Sequence, residues 1–253
     1  MRIILLTQDD PFYLAKNIDY LAKNMPKHSQ IVGTVVFEVS PFGKRESFLD
    51  KMKKTYSIFG LRFFMNYGLK FIASKLDPNT KVKSILARHH IPLIEIEGNI
   101  NKEENRNKLK TFSPDLLVSI AGNQIFKWPL INLAPKGCLN LHTALLPKYR
   151  GLMPSFWVLK NNEKETGVSV FFVDEGIDSG PILVQKRVEI GSRSQAELID
   201  YTKKLGMDAI LESVEKIEKG GFELIPNPES EMTYFSFPTK EDVQEFLKMG
   251  KRF

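Results

Sequence analysis

The sequence predicts an α/β protein with a mostly parallel, twisted sheet that ends in an antiparallel hairpin and a long helix. Three observations predict this class. Short apolar segments alternate with helical patterns, as in right-handed βαβ units. Two β-rich segments then flank a turn rich in Gly and Asp, as in a hairpin. A capping box, Ser194-Gln195-Ala196-Glu197, opens the last long helical pattern.

The parallel part of the sheet is predicted from buried apolar runs in the N-terminal half. Residues 2–7 (RIILLT) form the first strand, and Asp9 and Asp10 are placed to cap the helix that follows. The predicted strands are 2–7, 31–37, 92–96, 115–120 and 137–142, and the predicted helices are 11–24, 47–54, 56–75, 82–89, 101–110 and 154–161.

The C-terminal part of the domain carries a different pattern. Residues 166–173 and 182–190 are predicted to pair as an antiparallel hairpin, and the long helix that follows ends at Gly220-Gly221. We therefore expect one domain over residues 1–221, with a basic helical insertion at 44–83. Residues 222–253 form a short tail that is too small for an independent domain.

Composition excludes several classes of protein. A single Cys rules out a disulfide framework and a Cys-based zinc site. The N-terminal apolar run is too short for a signal peptide, so we expect a soluble, cytoplasmic protein. The net charge is +6, but residues 44–83 hold ten Lys/Arg against three acids, which leaves the remainder nearly neutral. This uneven distribution is not typical of a general nucleic-acid binder.

Asn140 and His142 are polar residues in an otherwise apolar strand. Residues two apart in a strand face the same side, and ligands of open α/β sheets bind beyond the carboxyl ends of the strands. The pair is therefore a candidate site. On these two residues alone, a core His bonded to a backbone carbonyl beside a turn-forming Asn is an equally good interpretation.

A second candidate is the loop at residues 174–181, DEGIDSGP, with three acids and two glycines. Such loops bring backbone and carboxylate groups close to a ligand. Taken alone, the loop is better explained as a plain acidic turn.

Together and in this order, the motifs resemble the folate-dependent formyltransferases, which include glycinamide ribonucleotide transformylase, methionyl-tRNA formyltransferase and the sugar N-formyltransferases. The resemblance is strong over residues 115–190 and loose in the N-terminal βαβ unit. It implies the Rossmann-like formyltransferase fold. The matching motifs are Asn-x-His at 140–142, LLPKYRG at 145–151, TGV at 166–168 and DSG at 178–180.

The resemblance implies a reaction and roles for residues. An amine attacks the formyl carbon of the co-substrate N10-formyltetrahydrofolate, Asn140 and His142 stabilise the oxyanion, and Asp178 accepts a proton. No metal is implied. The residues expected to contact the folate are Gly122, Asn123, Gln124, Ile125, Asp174, Glu175, Gly176 and Ile177.

Three acceptors are open within this family. The turn after the first strand, residues 7–12, lacks the glycines that would cradle the phosphate of glycinamide ribonucleotide. The sequence after Gly221 leaves no room for a tRNA-binding barrel, and a nearly neutral remainder fits tRNA badly. We therefore predict a nucleotide-linked amino-deoxysugar as the acceptor and no nucleic-acid partner. The tail at 233–243 is similar to those of stand-alone formyltransferases.

The basic, aromatic segment at 44–83 allows several interpretations. Its Phe and Leu face is expected to pack on the domain while its lysines stay solvated. Alternatively, its cations hold the pyrophosphate of the substrate, or its helices contact an anionic membrane or a second subunit. The oligomeric state is left open. An inactive ligand-binding module is an alternative of another class, but such a module would not need Asn140, His142 and Asp178 together.

Overall fold

The computed structural model describes residues 1–38 and 47–253. Its centre is a six-stranded sheet whose strands follow one another in space as β2-β1-β3-β4-β6-β7. These strands are β1 (Arg2–Gln8), β2 (Gln30–Phe37), β3 (Leu116–Ile120), β4 (Cys138–His142), β6 (Glu165–Phe172) and β7 (Ile182–Glu189), and a separate two-stranded ribbon pairs β5 (Arg150–Gly151) with β8 (Tyr234–Phe235).

The sheet changes direction at β4. The β1–β2, β1–β3 and β3–β4 pairs are parallel, whereas β4–β6 and β6–β7 are antiparallel. The predicted fold class is thus confirmed. The predicted strand at 92–96 is wrong, because only Leu93 forms an isolated bridge to Thr34, and Leu93 and Glu95 are exposed rather than covered by a neighbouring strand.

Helices cover both faces of the sheet. One apolar cluster joins α1, α3 and α7 to the sheet, and another joins α4 and α5 to its opposite face. Among the described residues, no helix has the length and apolarity needed to cross a membrane. The helices are α1 (Leu14–Lys23), α2 (Phe48–Leu76), α3 (Val82–Arg88), α4 (Glu103–Lys110), α5 (Trp128–Ile131), α6 (Pro154–Lys160), α7 (Gln195–Lys219) and α8 (Lys240–Lys248).

Of the two caps predicted for the helix after the first strand, the one at Asp10 is confirmed and the one at Asp9 is wrong, because Asp9 contacts a different helix. The Asp10 carboxylate accepts hydrogen bonds from the backbone N–H groups at the start of α1, the closest being that of Tyr13 at 2.6 Å. The Asp9 carboxylate instead accepts from Val82 N at 3.0 Å, at the start of α3. The end of β1 therefore fixes two helices at once.

The basic segment forms two helical pieces, as predicted, but they are divided at Gly60 and not near residue 55. Gly60 has φ +79°, a conformation that costs a glycine little and interrupts α2. Residues 44–46 of the predicted insertion lie outside the described residues.

Residues 222–253 pack along the main body of the chain. Strand β8 pairs in parallel with β5, and the Trp157 indole donates to Ser236 O at 3.0 Å. Phe246 of α8 is fully buried against Phe156, and the terminal Phe253 stacks on Phe246. The tail thus adds an aromatic cluster beside the loop that follows β4.

Candidate active site

Asn140 and His142 lie where the sheet changes from parallel to antiparallel. Both residues line one cavity of about 570 Å³, and Asp178 lines the same cavity. This volume is within the range of small-molecule sites. The three residues predicted to act together are therefore brought together, although they come from two segments of the chain.

The His142 ring is buried and held from both sides. Its Nε2 lies 2.7 Å from the Tyr149 carbonyl oxygen, and because a carbonyl can only accept, Nε2 carries a hydrogen. Its Nδ1 lies 3.6 Å from Oδ2 of Asp178. The interpretation of His142 as a core residue bonded to a carbonyl is correct for one ring nitrogen, while the other faces the cavity carboxylate.

Asp178 is fixed by its own backbone and by the turn after β4. It adopts φ +50°, and its Oδ2 accepts a hydrogen bond from Gly151 N at 2.9 Å. Asn227 Nδ2 donates to the carbonyl oxygens of both Asp178 and Gly180, each at 2.9 Å. Asp178 is thus held beside the imidazole by contacts from two other segments of the chain.

The first predicted folate segment, residues 122–125, lines the cavity. The Gln124 side chain is fixed, because its Oε1 accepts from Ile100 N at 2.8 Å and its Nε2 donates to Gly98 O at 3.1 Å. Asn123 Nδ2 donates to Glu38 O. A Cβ at Gly122 would lie 2.6 Å from Ser119 Oγ, so glycine is needed for this close approach. These contacts fix the conformation of the segment at the cavity wall.

The second predicted folate segment lines the cavity through Asp174, Gly176 and Ile177. The Asp174 carboxylate accepts from Gly176 N at 3.0 Å and from the Ser179 hydroxyl, which closes the turn. Glu175 is placed differently: it is not among the lining residues, and its Oε1 lies 3.5 Å from Trp128 N. The binding roles of the eight residues stay a prediction.

Two residues of the site network were not predicted. Arg150 is buried, and its Nη2 donates to the side-chain and backbone oxygens of Asn227 at 2.9 and 3.2 Å. Asn227 in turn holds the Asp178 loop. Arg150 belongs to the LLPKYRG motif, but no role was predicted for it. Asn227 could not be predicted from the sequence, because an isolated Asn is typical of any loop.

Several cavity residues come from helices. Lys51, Lys54, Tyr67 and Lys203 all line the cavity. Burial, with Asp10 nearby, raises the pKa of Tyr67 to about 12, and desolvation lowers the pKa of Lys203. Sequence reasoning could not place Lys203, because it lies on a helix far along the chain from β4.

Comparison with known proteins agrees with this architecture. The family model for formyl transferases matches residues 74–214. A methionyl-tRNA formyltransferase from Kosmotoga olearia is 37% identical over 210 residues, which are 83% of this chain and 67% of that protein. The chain spans about half to two thirds of the length of the curated relatives it matches.

Two solved structures share the fold at low identity. An N-formyltransferase from Helicobacter canadensis, in complex with folinic acid and dTDP-3-aminofucose, aligns with a TM-score of 0.56 and 18% identity over 96% of this chain and 78% of that chain. A phosphoribosylglycinamide formyltransferase from Bacillus halodurans aligns with a TM-score of 0.60 and 17% identity over 86% of this chain and 95% of that one.

These findings assign the chain to a family: it belongs to the formyl transferases. Within them it is a folate-dependent formyltransferase, as the motifs at 140–151 and 178–180 predicted. The relatives act on different amines by their names, so the acceptor is a separate question.

Proposed function

We propose that this chain transfers the formyl group of N10-formyltetrahydrofolate to the primary amine of a nucleotide-linked amino-deoxysugar in the cytoplasm. The observation that carries the formyl transfer is the convergence of Asn140, His142 and Asp178 in one cavity, with His142 Nδ1 3.6 Å from Asp178 Oδ2.

The first step forms a bond between the acceptor nitrogen and the formyl carbon. The electron pair of the formyl C=O moves onto oxygen. The developing oxyanion is met by the Asn140 amide and by a proton on Nδ1 of His142, because the proton on Nε2 is held by the Tyr149 carbonyl. Such donors each lower a barrier by roughly 3–4 kcal/mol in comparable sites. Because β4 holds both side chains on one face, the donors are arranged before substrate binds.

The second step removes a proton from the attacking nitrogen and breaks the bond from carbon to N10. Asp178 takes the proton directly or through a water, and the proton is finally delivered to N10 as tetrahydrofolate leaves. The Gly151 N–H holds Oδ2 of Asp178 in place at 2.9 Å, so the carboxylate needs little reorganisation.

The donor fits the part of the cavity between the two predicted folate segments. Residues 122–125 line this space, and so do Asp174, Gly176 and Ile177 of the second segment. Backbone N–H and C=O groups can pair with the polar edge of a pterin. The solved Helicobacter canadensis structure carries folinic acid, a formylated folate, which supports a donor of this class.

The sugar acceptor is supported by the charge of the cavity wall. Lys51, Lys54 and Lys203 line it together with Phe237 and Tyr67. Ammonium groups suit the diphosphate of a nucleotide sugar, and aromatic rings suit its base. The same solved structure contains a nucleotide-linked amino sugar.

Methionyl-tRNA is a second candidate acceptor because of one specific finding. The curated relative at 37% identity is a methionyl-tRNA formyltransferase. In that case the lysines of α2 would contact phosphates of the acceptor stem.

A direct comparison of acceptors tests the proposal. The full chain is incubated with N10-formyltetrahydrofolate and, in parallel, with dTDP- and UDP-linked amino sugars, glycinamide ribonucleotide or methionyl-tRNA, and the products are identified by mass spectrometry. We expect formylation of an amino sugar and none of the matched sugar that carries a hydroxyl in place of the amine. Turnover of methionyl-tRNA alone would refute the sugar acceptor, and absence of formylation on every amine would refute the transfer itself.

A further inference from the structure

The second half of α2 exposes an apolar stripe to solvent. Its members follow a spacing of three or four residues along the helix, and each is more than half exposed. Contiguous exposed apolar surface of this kind marks an interaction site in folded proteins. The apolar stripe consists of Leu61, Met65, Leu69, Ile72 and Leu76.

The opposite side of the helix is packed, so the orientation of the stripe is fixed. Phe63 packs against Phe253 of the tail at 4.9 Å between ring centroids, and Tyr67 packs on Phe12 at 4.8 Å. Ser74 is buried, and Thr80 Oγ1 donates to its carbonyl oxygen at 2.6 Å. The expectation that the apolar face of this segment packs on the domain is therefore correct only for its aromatic side.

Charge distinguishes the possible occupants of the stripe. Residues 47–83 contain eight Lys and Arg and two acids. On a regular helix, Arg62 lies roughly 60° from the middle of the stripe on one side and Lys75 roughly 80° on the other. A second copy packed face to face would bring these cations together, which disfavours self-association. An anionic lipid surface attracts the same cations and accepts the apolar side chains.

We propose that α2 docks the protein on an anionic membrane surface, with the apolar stripe in the interface and Arg62 and Lys75 at the headgroups. The helix lies flat on the bilayer in this arrangement. Its first half carries Lys51 and Lys54 of the active-site cavity, so docking also brings that cavity close to the lipid. The inference is independent of which amine is formylated.

Vesicle co-sedimentation of the full chain tests the docking. We expect binding to vesicles that contain phosphatidylglycerol, at least tenfold weaker binding to pure phosphatidylcholine, and a further loss as salt rises from about 50 mM to about 500 mM. The double variant Leu69→Gln/Ile72→Gln should bind at least tenfold more weakly. The matched control Leu247→Gln/Met249→Gln alters two exposed apolar residues near the end of α8 and should bind as the wild type does.

A fluorescent probe reports insertion directly. The single native thiol, Cys138, is buried, so Leu69→Cys can be labelled selectively with an environment-sensitive dye. A blue shift on anionic vesicles, absent for a label at Leu247→Cys, is the expected result. Lack of vesicle binding at low salt overturns the proposal. A second result would also overturn it: a dimer that Leu69→Gln/Ile72→Gln dissociates, together with no vesicle binding. In that case the apolar stripe would contact a second copy of the chain.

Discussion

At the scale of single residues, hydrogen bonds restrict the conformations of the side chains that form the candidate site. The Tyr149 carbonyl fixes one nitrogen of His142, and the Gly151 N–H fixes the carboxylate of Asp178. Preorganised groups of this kind stabilise charge as it develops without reorganising at the moment of reaction. The imidazole–carboxylate geometry is therefore the feature most sensitive to a single change.

Asp178→Asn tests the proton acceptor. The amide keeps an oxygen for Gly151 N but cannot take the proton of the amine, so we expect formyl transfer to fall about 10²-fold or more. Steady-state kinetics with the best acceptor measures the loss, and circular dichroism should show an intact fold. Activity within a few-fold of the wild type would contradict the role of Asp178.

A second His–Asp pair supplies a matched control for that variant. His89 Nε2 lies 2.7 Å from Asp19 Oδ1, outside the cavity. Hydrogen bonds from Lys23 and His89 lower the pKa of Asp19, so its contribution to stability is present at neutral pH and is lost as pH falls through that lowered pKa. Asp19→Asn should therefore reduce stability at neutral pH, converge with the wild type in acid, and leave formyl transfer unchanged.

The burial of Cys138 in the sheet predicts that its thiol is protected from alkylation. Cys138 lies in β4 and is buried, and desolvation raises its pKa. Since the thiolate is the reactive form, the native protein should resist alkylation even at mildly alkaline pH. Labelling with iodoacetamide should proceed only in denaturant, as followed by mass spectrometry. Rapid alkylation of the native chain would show that β4 opens readily.

At the scale of elements, α7 packs against β4, the strand that carries Asn140 and His142. Its Gly206 lies against Leu141, the residue between Asn140 and His142, and a Cβ built at position 206 would lie 2.5 Å from Leu141 Cδ2. Because Gly206 has no side chain, α7 can pack this close to β4. Glycine here serves packing rather than a special backbone conformation.

Gly206→Ala sets helix propensity against packing. Alanine favours a helix interior over glycine by about 1 kcal/mol, whereas overpacking of a buried contact costs about 1–3 kcal/mol. We expect net destabilisation by about 1 kcal/mol and lower activity, because Leu141 must shift within the catalytic strand. Chemical denaturation and steady-state kinetics measure both effects.

Gly68→Ala is the control for the same substitution. Gly68 is inside α2, and a Cβ there meets nothing within 4 Å. Only the propensity difference acts, so this variant should gain up to about 1 kcal/mol of stability. If Gly206→Ala also stabilised the protein, the space between residue 206 and Leu141 would be large enough for a Cβ, and the packing argument would be wrong.

At the scale of the whole molecule, the tail is connected by hydrogen bonds to the candidate site. Asn227 links Arg150 in β5 with the Asp178 loop, although it follows the predicted end of the domain at residue 221. The division into residues 1–221 and 222–253 stays a prediction. The contacts show that the tail and the site share one hydrogen-bond network.

Asn227→Ala tests that connection. It removes the donor to the carbonyls of Asp178 and Gly180 and leaves Arg150 without its side-chain acceptor. We expect kcat to fall about tenfold or more, since small misplacement of a catalytic group is costly. Asp242→Ala breaks a different tail contact, the ion pair of Asp242 with Lys160 at 3.1 Å, and should lower stability while kcat is retained. Equal kcat values in the two variants would contradict a positioning role for Asn227.

The sequence by itself determined the six strands of the main sheet, most of the helices, the polar pair on β4, the acidic loop and the family, but not α5, α8, β5 or β8. Periodicity, caps and motifs depend only on residues close together in the chain, so they can be predicted from the sequence. Gly220-Gly221 ends α7, for example, and Asn140 and His142 share a face of β4 wherever that strand lies in the sheet. A short apolar run such as 92–96 was ambiguous because its pairing depends on neighbours.

Only the tertiary structure decided which distant groups meet. Lys203 reaches the cavity from α7, Asn227 reaches Asp178 from the tail, and the apolar stripe of α2 faces solvent while its aromatic side packs inward. Helical periodicity predicts that a face exists but not which neighbour covers it. The contacts of each face are set by packing between segments far apart in the chain, and no local pattern encodes them.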